Sequence, residues 1–147
     1  MNDSPARPAR AKPPALADFH HLYSDTVRHG DTDAVGHVNN AVYATYFETG
    51  RVQFTDALLA DAGAVELDTV LARIEIDFIS ELHPPATVQI GVRVGAIGRT
   101  SITFEQAVFC GERCAAAGRA VVVLVDKVSR RPSPLPAPMR ARLEGGR

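Results

Sequence analysis

Asn40-Ala41-Val42-Tyr43-Ala44-Thr45-Tyr46-Phe47-Glu48-Thr49-Gly50-Arg51-Val52-Gln53-Phe54-Thr55-Asp56-Ala57-Leu58-Leu59-Ala60-Asp61 is the longest patterned stretch of the chain. Val42, Tyr43, Tyr46, Phe47, Gly50, Phe54 and Leu58 recur every three or four residues, the period of one apolar helix face. Asn39 or Asn40 supplies a cap at one end, and Gly63 a stop at the other. The spacing predicts a helix over 40–61, about 33 Å long at 1.5 Å per residue. Gly50 lies inside the apolar stripe, where glycine costs about 1 kcal/mol against alanine. Close approach of this helix to a sheet is the expected compensation.

Outward from the helix the period changes to two. A moderate strand is expected at 21–29, before the helix. After it, Ile74, Ile76 and Phe78 alternate with Glu75 and Asp77. Val88, Ile90, Val92 and Val94 alternate with Gln89, Gly91, Arg93 and Gly95, and Ile102, Phe104, Gln106 and Val108 with Thr103, Glu105, Ala107 and Phe109. The stretch 116–128 is apolar on both faces in its middle, so it is expected to be the central strand. Turn residues at 97–100 and 110–114 favour meander connections and an antiparallel sheet. The expected class is α+β: one long helix packed on about five strands. Val122 and Leu124 are expected to point away from that helix. With no second helix foreseen, a second subunit is the natural cover for that face.

The chain has 147 residues, which is one domain on the usual scale of roughly 100–200 residues. Its formal net charge is −1, which gives no general attraction to nucleic acid or anionic membranes. No apolar run reaches the roughly 18 residues of a membrane helix. The first residues do not pattern as a secretory signal, so a cytoplasmic location is expected. Cys110 and Cys114 are too few for a disulfide scaffold or a zinc site, and reduced thiols are expected. Residues 1–17, rich in Pro, Ala and Arg, read as a disordered tail, 18–130 as the packed domain, and 131–147 as a Pro-rich tail in which 139–143 could form one helical turn.

The chemistry concentrates in Gly30-Asp31-Thr32-Asp33-Ala34-Val35-Gly36-His37-Val38-Asn39-Asn40, a loop that runs into the helix N-terminus. Unpaired N–H groups and the positive end of the helix dipole meet there and can stabilise an oxyanion. A carboxylate beside a polarised carbonyl can act as nucleophile or as general base on water. Gly36 permits close backbone approach to a ligand. Turn and capping chemistry alone would use the same residue types.

The segment from Asp31 to Asn40, followed by Tyr43, Tyr46-Phe47-Glu48 and Arg51, resembles the 4-hydroxybenzoyl-CoA thioesterase-like group of hotdog-fold acyl-CoA thioesterases. The resemblance covers about residues 20–130. It implies a hotdog fold, a long helix wrapped by a curved antiparallel sheet. It also implies subunits joined edge to edge as a homodimer or homotetramer, with active sites at the interface. By the same resemblance Asp33 is the nucleophile or general base, and the oxyanion hole falls near 38–40, with the Asn40 amide first and the Asn39 amide beside it. A helix acid serves in some members, so Glu48 is a second candidate base. This chain carries His37-Val38-Asn39-Asn40 where well-characterised members have mostly apolar and aromatic residues, so the chemistry carries over better than the substrate.

The remaining residues each have two readings. Asp31 holds the loop or takes part in catalysis. His37 contacts the thioester or fixes the loop. Asn39 binds substrate or caps the helix. Tyr43 and Phe47 line an acyl pocket or belong to the core. Glu48 and Arg51, three apart, would form an ordinary helix ion pair. Arg99, Arg130 and Arg131 could hold the phosphates of coenzyme A. The expected reaction hydrolyses a thioester to a free acid and coenzyme A. Coenzyme A is then part of the substrate, and no metal or further cofactor is called for, since thiolate leaves readily. Two alternatives stand beside it. One is a hotdog enoyl-CoA hydratase or dehydratase using Asp33 and His37, although their spacing does not match that class. The other is a non-catalytic acyl-CoA-binding protein.

Overall fold

The structure, a computed structural model, describes residues 12–146. A 3₁₀ turn at Leu16–Asp18 leads into β1 (His21–Val27), and a second at His29–Asp31 opens the loop to α1 (Asn40–Asp61). Then follow β2 (Leu67–Phe78), β3 (Ala86–Ile97), β4 (Ser101–Cys110), β5 (Arg113–Asp126) and α2 (Ala137–Gly145). The five strands form one antiparallel sheet in the order β1-β3-β4-β5-β2. β3, β4 and β5 are a meander. β1 and β2 flank it on opposite edges, so α1 carries the chain from one edge of the sheet to the other. This is the hotdog arrangement.

α1 keeps both predicted ends. Asn39 Oδ1 accepts the Ala41 N–H at 2.9 Å, and Gly63 adopts a φ of +63° just past the C-cap. A Cβ at Gly50 would stand 2.5 Å from Ile90 Cγ2, so the glycine is where the helix presses on β3. Tyr43, Tyr46, Phe47 and Leu58 of the helix pack with Ile90, Val92, Phe104, Val108 and Val122 in the main core. Arg51 departs from the helix ion pair foreseen with Glu48. It turns inward, almost fully buried, and donates to Gln106 Oε1 at 3.3 Å. Gln106 Nε2 in turn donates to the Phe47 carbonyl at 2.7 Å. Each buried polar group is thus paired, which removes most of its desolvation cost.

Four expectations are corrected. β5 has neighbours on both sides, but the middle strand is β4. Val122 and Leu124 face the helix rather than away from it, and their half-buried neighbours Val121 and Val123 take the outer face. A strand apolar on both faces carries no alternation to say which face is which. A second helix exists. α2 buries Met139 and Leu143, and Leu135 before it is also buried, so the packed body runs well past residue 130. The proline-rich composition hid those three core side chains. On the amino-terminal side, Leu16 and Phe19 join Ala107 and Phe109 in a second cluster on the outer sheet face. The part of the expected disordered tail at 12–17 is therefore partly placed, and its part at 1–11 lies outside the described residues. Among the described residues no helix is long and apolar enough to cross a membrane.

Candidate active site

The loop before α1 is organised by carboxylates. Asp31 Oδ2 accepts the Arg28 N–H at 2.8 Å and the Tyr46 hydroxyl at 3.0 Å. Its carbonyl accepts the Asn39 N–H at 2.9 Å. Asp31 thus ties the loop to both of its ends and to the helix. Burial, then the Asp31 carboxylate that accepts its proton, push the Tyr46 phenol far above its ordinary range, so it remains a donor. Asp33 closes a tight turn. Its Oδ1 accepts the Val35 N–H at 2.9 Å, its carbonyl the Gly36 N–H at 3.0 Å, and its own N–H donates to the His37 carbonyl at 3.1 Å. Gly36 sits at a φ of +90°, which L side chains rarely adopt.

This turn brings Asp33 and His37 together. Asp33 Oδ2 lies 3.8 Å from His37 Nδ1, and both side chains are about a quarter exposed. His37 Nδ1 also lies 3.3 Å from the Val38 carbonyl, which can only accept. With the proton on Nδ1, the neutral ring presents Nε2 as an acceptor. Val38 is buried and donates its N–H to the Leu82 carbonyl at 2.9 Å, which anchors the loop to the chain after β2.

At the helix start, the Ala41 N–H is taken by the Asn39 side chain and the Val42 N–H by the Asn39 carbonyl. Among the described residues no acceptor takes the Asn40 N–H. Asn40 lines a cleft of about 210 Å³ together with His37, Val38, Tyr43, Phe78 and Ser80. Tyr43 is buried and donates its hydroxyl to the Ser80 carbonyl at 3.3 Å, and burial raises its pKa.

The structure therefore gathers Asn40, His37 and Tyr43 at one cleft. Asp33 and Gly36 are not among its lining residues, and Asp33 adjoins it through His37, 3.8 Å away. Asn39 serves as the helix cap. Phe47 is fully buried in the core. Glu48 is exposed on the helix, eight residues on from Asn40, or roughly 12 Å along the axis. Arg99 is not brought to the site. β3 starts at Ala86, opposite Val27 beside the loop, and ends at Ile97, roughly 35 Å away at 3.3 Å per residue. Arg130 lies at that same far end, donating to Asp68 Oδ2 at 3.2 Å. Sequence reasoning missed two residues here. His83 Nδ1 lies 3.1 Å from the Gly36 carbonyl, and its ring is 6.4 Å from that of His37. Arg113 donates to Ser80 Oγ at 2.5 Å and to the Glu81 carbonyl at 2.9 Å, which fixes one wall of the cleft. Nothing in a local pattern marks either residue, since both act across the fold. Among the described residues no three His, Cys, Asp or Glu side chains are placed to hold a metal ion.

The first amide of α1 thus opens on a cleft at the edge of a wrapped antiparallel sheet. The profile of the thioesterase-like superfamily matches residues 27–143, and the chain belongs to that superfamily. It is similar to the uncharacterised protein YsmA of Bacillus subtilis strain 168, at 31% identity over 108 residues covering 71% of each chain. It is also similar to the chloroplastic acyl-acyl carrier protein thioesterase ATL2 of Arabidopsis thaliana, at 30% identity over 97 residues. That match covers 64% of this chain and 51% of ATL2, so this chain spans about half the length of that relative. Among solved structures it resembles a thioesterase from Thermus thermophilus complexed with coenzyme A and Zn. There the identity is 33% and the TM-score 0.74, over 86% of this chain and 93% of that one.

Proposed function

We propose that the protein is an acyl-CoA thioesterase of the 4-hydroxybenzoyl-CoA thioesterase-like kind. The observation that carries this reading is the Asn40 amide, left without an acceptor among the described residues at a cleft that also holds His37. The superfamily membership and the coenzyme A in the Thermus relative support it. The thioester carbonyl oxygen sits on the Asn40 N–H, with the Asn39 side chain fixing the helix start. Asp33 attacks the carbonyl carbon to give a mixed anhydride that water then hydrolyses, or takes a proton from an attacking water that His37 orients through Nε2. The carbon–oxygen bond forms, the carbon–sulfur bond breaks, and coenzyme A leaves as the thiolate. The products are the free acid and coenzyme A. Losing one oxyanion donor typically costs about 10²–10³ in turnover, so a single well-placed amide matters.

The cleft lies beside β2, and β2 is an edge strand that exposes Leu71 and Phe78. Val52 of α1 is also exposed. We place a second copy of the chain on this edge, in a homodimer or homotetramer whose partner completes the acyl pocket and brings the cations for the coenzyme A phosphates. The thiols of Cys110 and Cys114 are free, as a reducing cytoplasm would keep them.

The test is thiol release from short, medium, long and aromatic acyl-CoAs by wild type and Asp33→Ala. Release that falls with Asp33→Ala is expected. Release unchanged in that variant overturns the role of Asp33 and turns attention to Glu48. No release from any substrate overturns the thioesterase reading. Crotonyl-CoA hydration and acyl-CoA binding without turnover then separate the hydratase from the binder.

A further inference from the structure

A second cavity lies at the other end of α1, between its last turns, β1, β3 and α2. Its volume is about 200 Å³. Tyr23, Phe54, Leu58, Val94 and Leu143 give it an apolar lining. Phe54 is 14 residues beyond Asn40, which puts the cavity roughly 20 Å along the helix axis from the first-turn amide. It is a different site from the cleft. An apolar cavity of about 150 Å³ holds one benzene ring. A body of that size, with little to spare, fits here.

The cavity also has a side of N–H donors. His21 and Arg142 line it, and His20 adjoins His21 in sequence. His21 stacks edge-on against Phe54 at 4.9 Å between centroids, which holds its ring against the apolar wall. Among the described residues, the acid paired to this group is Asp61, which takes Nη1 of Arg142. A guanidinium has five N–H donors, so donors remain for a second carboxylate. Burial, then the charges of His20 and Arg142, hold the His21 pKa below its ordinary value, so at neutral pH the ring is uncharged and offers a carboxylate an N–H donor beside the Arg142 guanidinium.

We infer that this cavity binds a small carboxylate with an apolar body of about six carbons, its ring or chain among Phe54, Leu58 and Leu143 and its carboxylate on Arg142 and His21. The proposal does not depend on the thioesterase reading, although an acid of this class is what that reaction would release. Binding without any turnover would uphold it.

The experiment is a titration of the full-length protein with benzoate, followed by the His21 and Phe54 ring resonances, with benzyl alcohol as the neutral analogue. Saturable shifts of both rings with benzoate are expected, with at least ten-fold weaker binding of benzyl alcohol and of benzoate to Arg142→Gln. Ala57→Leu, at the cavity rim, fills the space without touching the Arg142–Asp61 pair and is expected to abolish the shifts. It decides the matter if Arg142→Gln fails to fold. No saturable shift with benzoate in wild type, equal affinity for benzyl alcohol, or benzoate binding unchanged in Ala57→Leu would each overturn the site.

Discussion

At its N-terminal end α1 is held by hydrogen bonds, whereas at its C-terminal end it is held by packing. Asp31, Asp33 and Asn39 bind backbone N–H groups around the first turn and leave the Asn40 amide open to a cleft. At the other end Gly63 turns the chain, and α2 lays Met139 and Leu143 against the core, with Arg142 reaching Asp61. Polar groups spent on shaping a loop stay near water and can do chemistry. Apolar groups spent on closing an end give stability and, where they leave space, a cavity.

Changing each end separates these roles. The largest effect is expected at the polar end, where Asp33→Asn should lower kcat for thioester hydrolysis about 10²–10⁴-fold, the usual range for a general base. Tm, followed by calorimetry, should stay within a few degrees. A fall in Tm matching the loss of activity would make Asp33 another loop-holding acid like Asp31 and break the contrast. At the packed end, Leu143→Ala should cost about 2–5 kcal/mol of stability by the cavity it leaves. Urea unfolding reads that loss, and activity per folded molecule should be unchanged. Asn39→Ala removes the cap and should cost about 1 kcal/mol. If the cap also aims the Asn40 amide, kcat falls while KM holds.

The smallest expected effect is a pH dependence at the packed end. His21 has a lowered pKa in the folded chain through burial, then His20, then Arg142. The folded state therefore binds this proton less readily than the unfolded chain. The contribution to stability is complete above the unfolded value of about 6.5, and it is lost as pH falls through the lower, folded value. The ring is exposed, so the loss should stay below about 1 kcal/mol. Hydrogen-exchange protection factors for α2 should decline as pH falls below that unfolded value in wild type and not in His21→Gln. Equal decline in both would place the acid sensitivity elsewhere.

The same contrast explains what can be read from the residues alone. α1 is legible to its ends because its stripe, its Asn39 cap and its Gly63 stop are all local signals. The loop is legible because Asp, Gly and Asn crowd into it. β2 is readable only from Ile74 because its pairing with β5 shifts between Leu71 and Arg73, which resets the alternation before that point. Arg51 misleads because charge usually means surface, and only the fold supplies Gln106 as its partner. Met139 to Leu143 reads only as one helical turn of a tail, not as core, because α2 has only nine residues and follows the prolines at 132, 134 and 136. Phe78 and Ser80, which line the cleft, and His83 and Arg113, which brace the loop and its wall, come from segments distant in sequence, and no local pattern joins them to Asn40.

The crossing of α1 from one edge of the sheet to the other also has a consequence for how the chain finds this fold. β3, β4 and β5 follow one another through short turns, so their pairing closes only small loops. β1 must wait for a strand that begins at Ala86, and β2 for one that begins at Arg113. Refolding is therefore expected to start in the meander and add the edges last. Pulse-labelled hydrogen exchange should protect the amides of Phe104 and Val122 before those of Tyr23 and Ile74. Simultaneous protection would mean that the helix assembles all five strands at once. If the edges do come last, the exposed side of β2, where the proposed second copy would dock, matures at the end of folding.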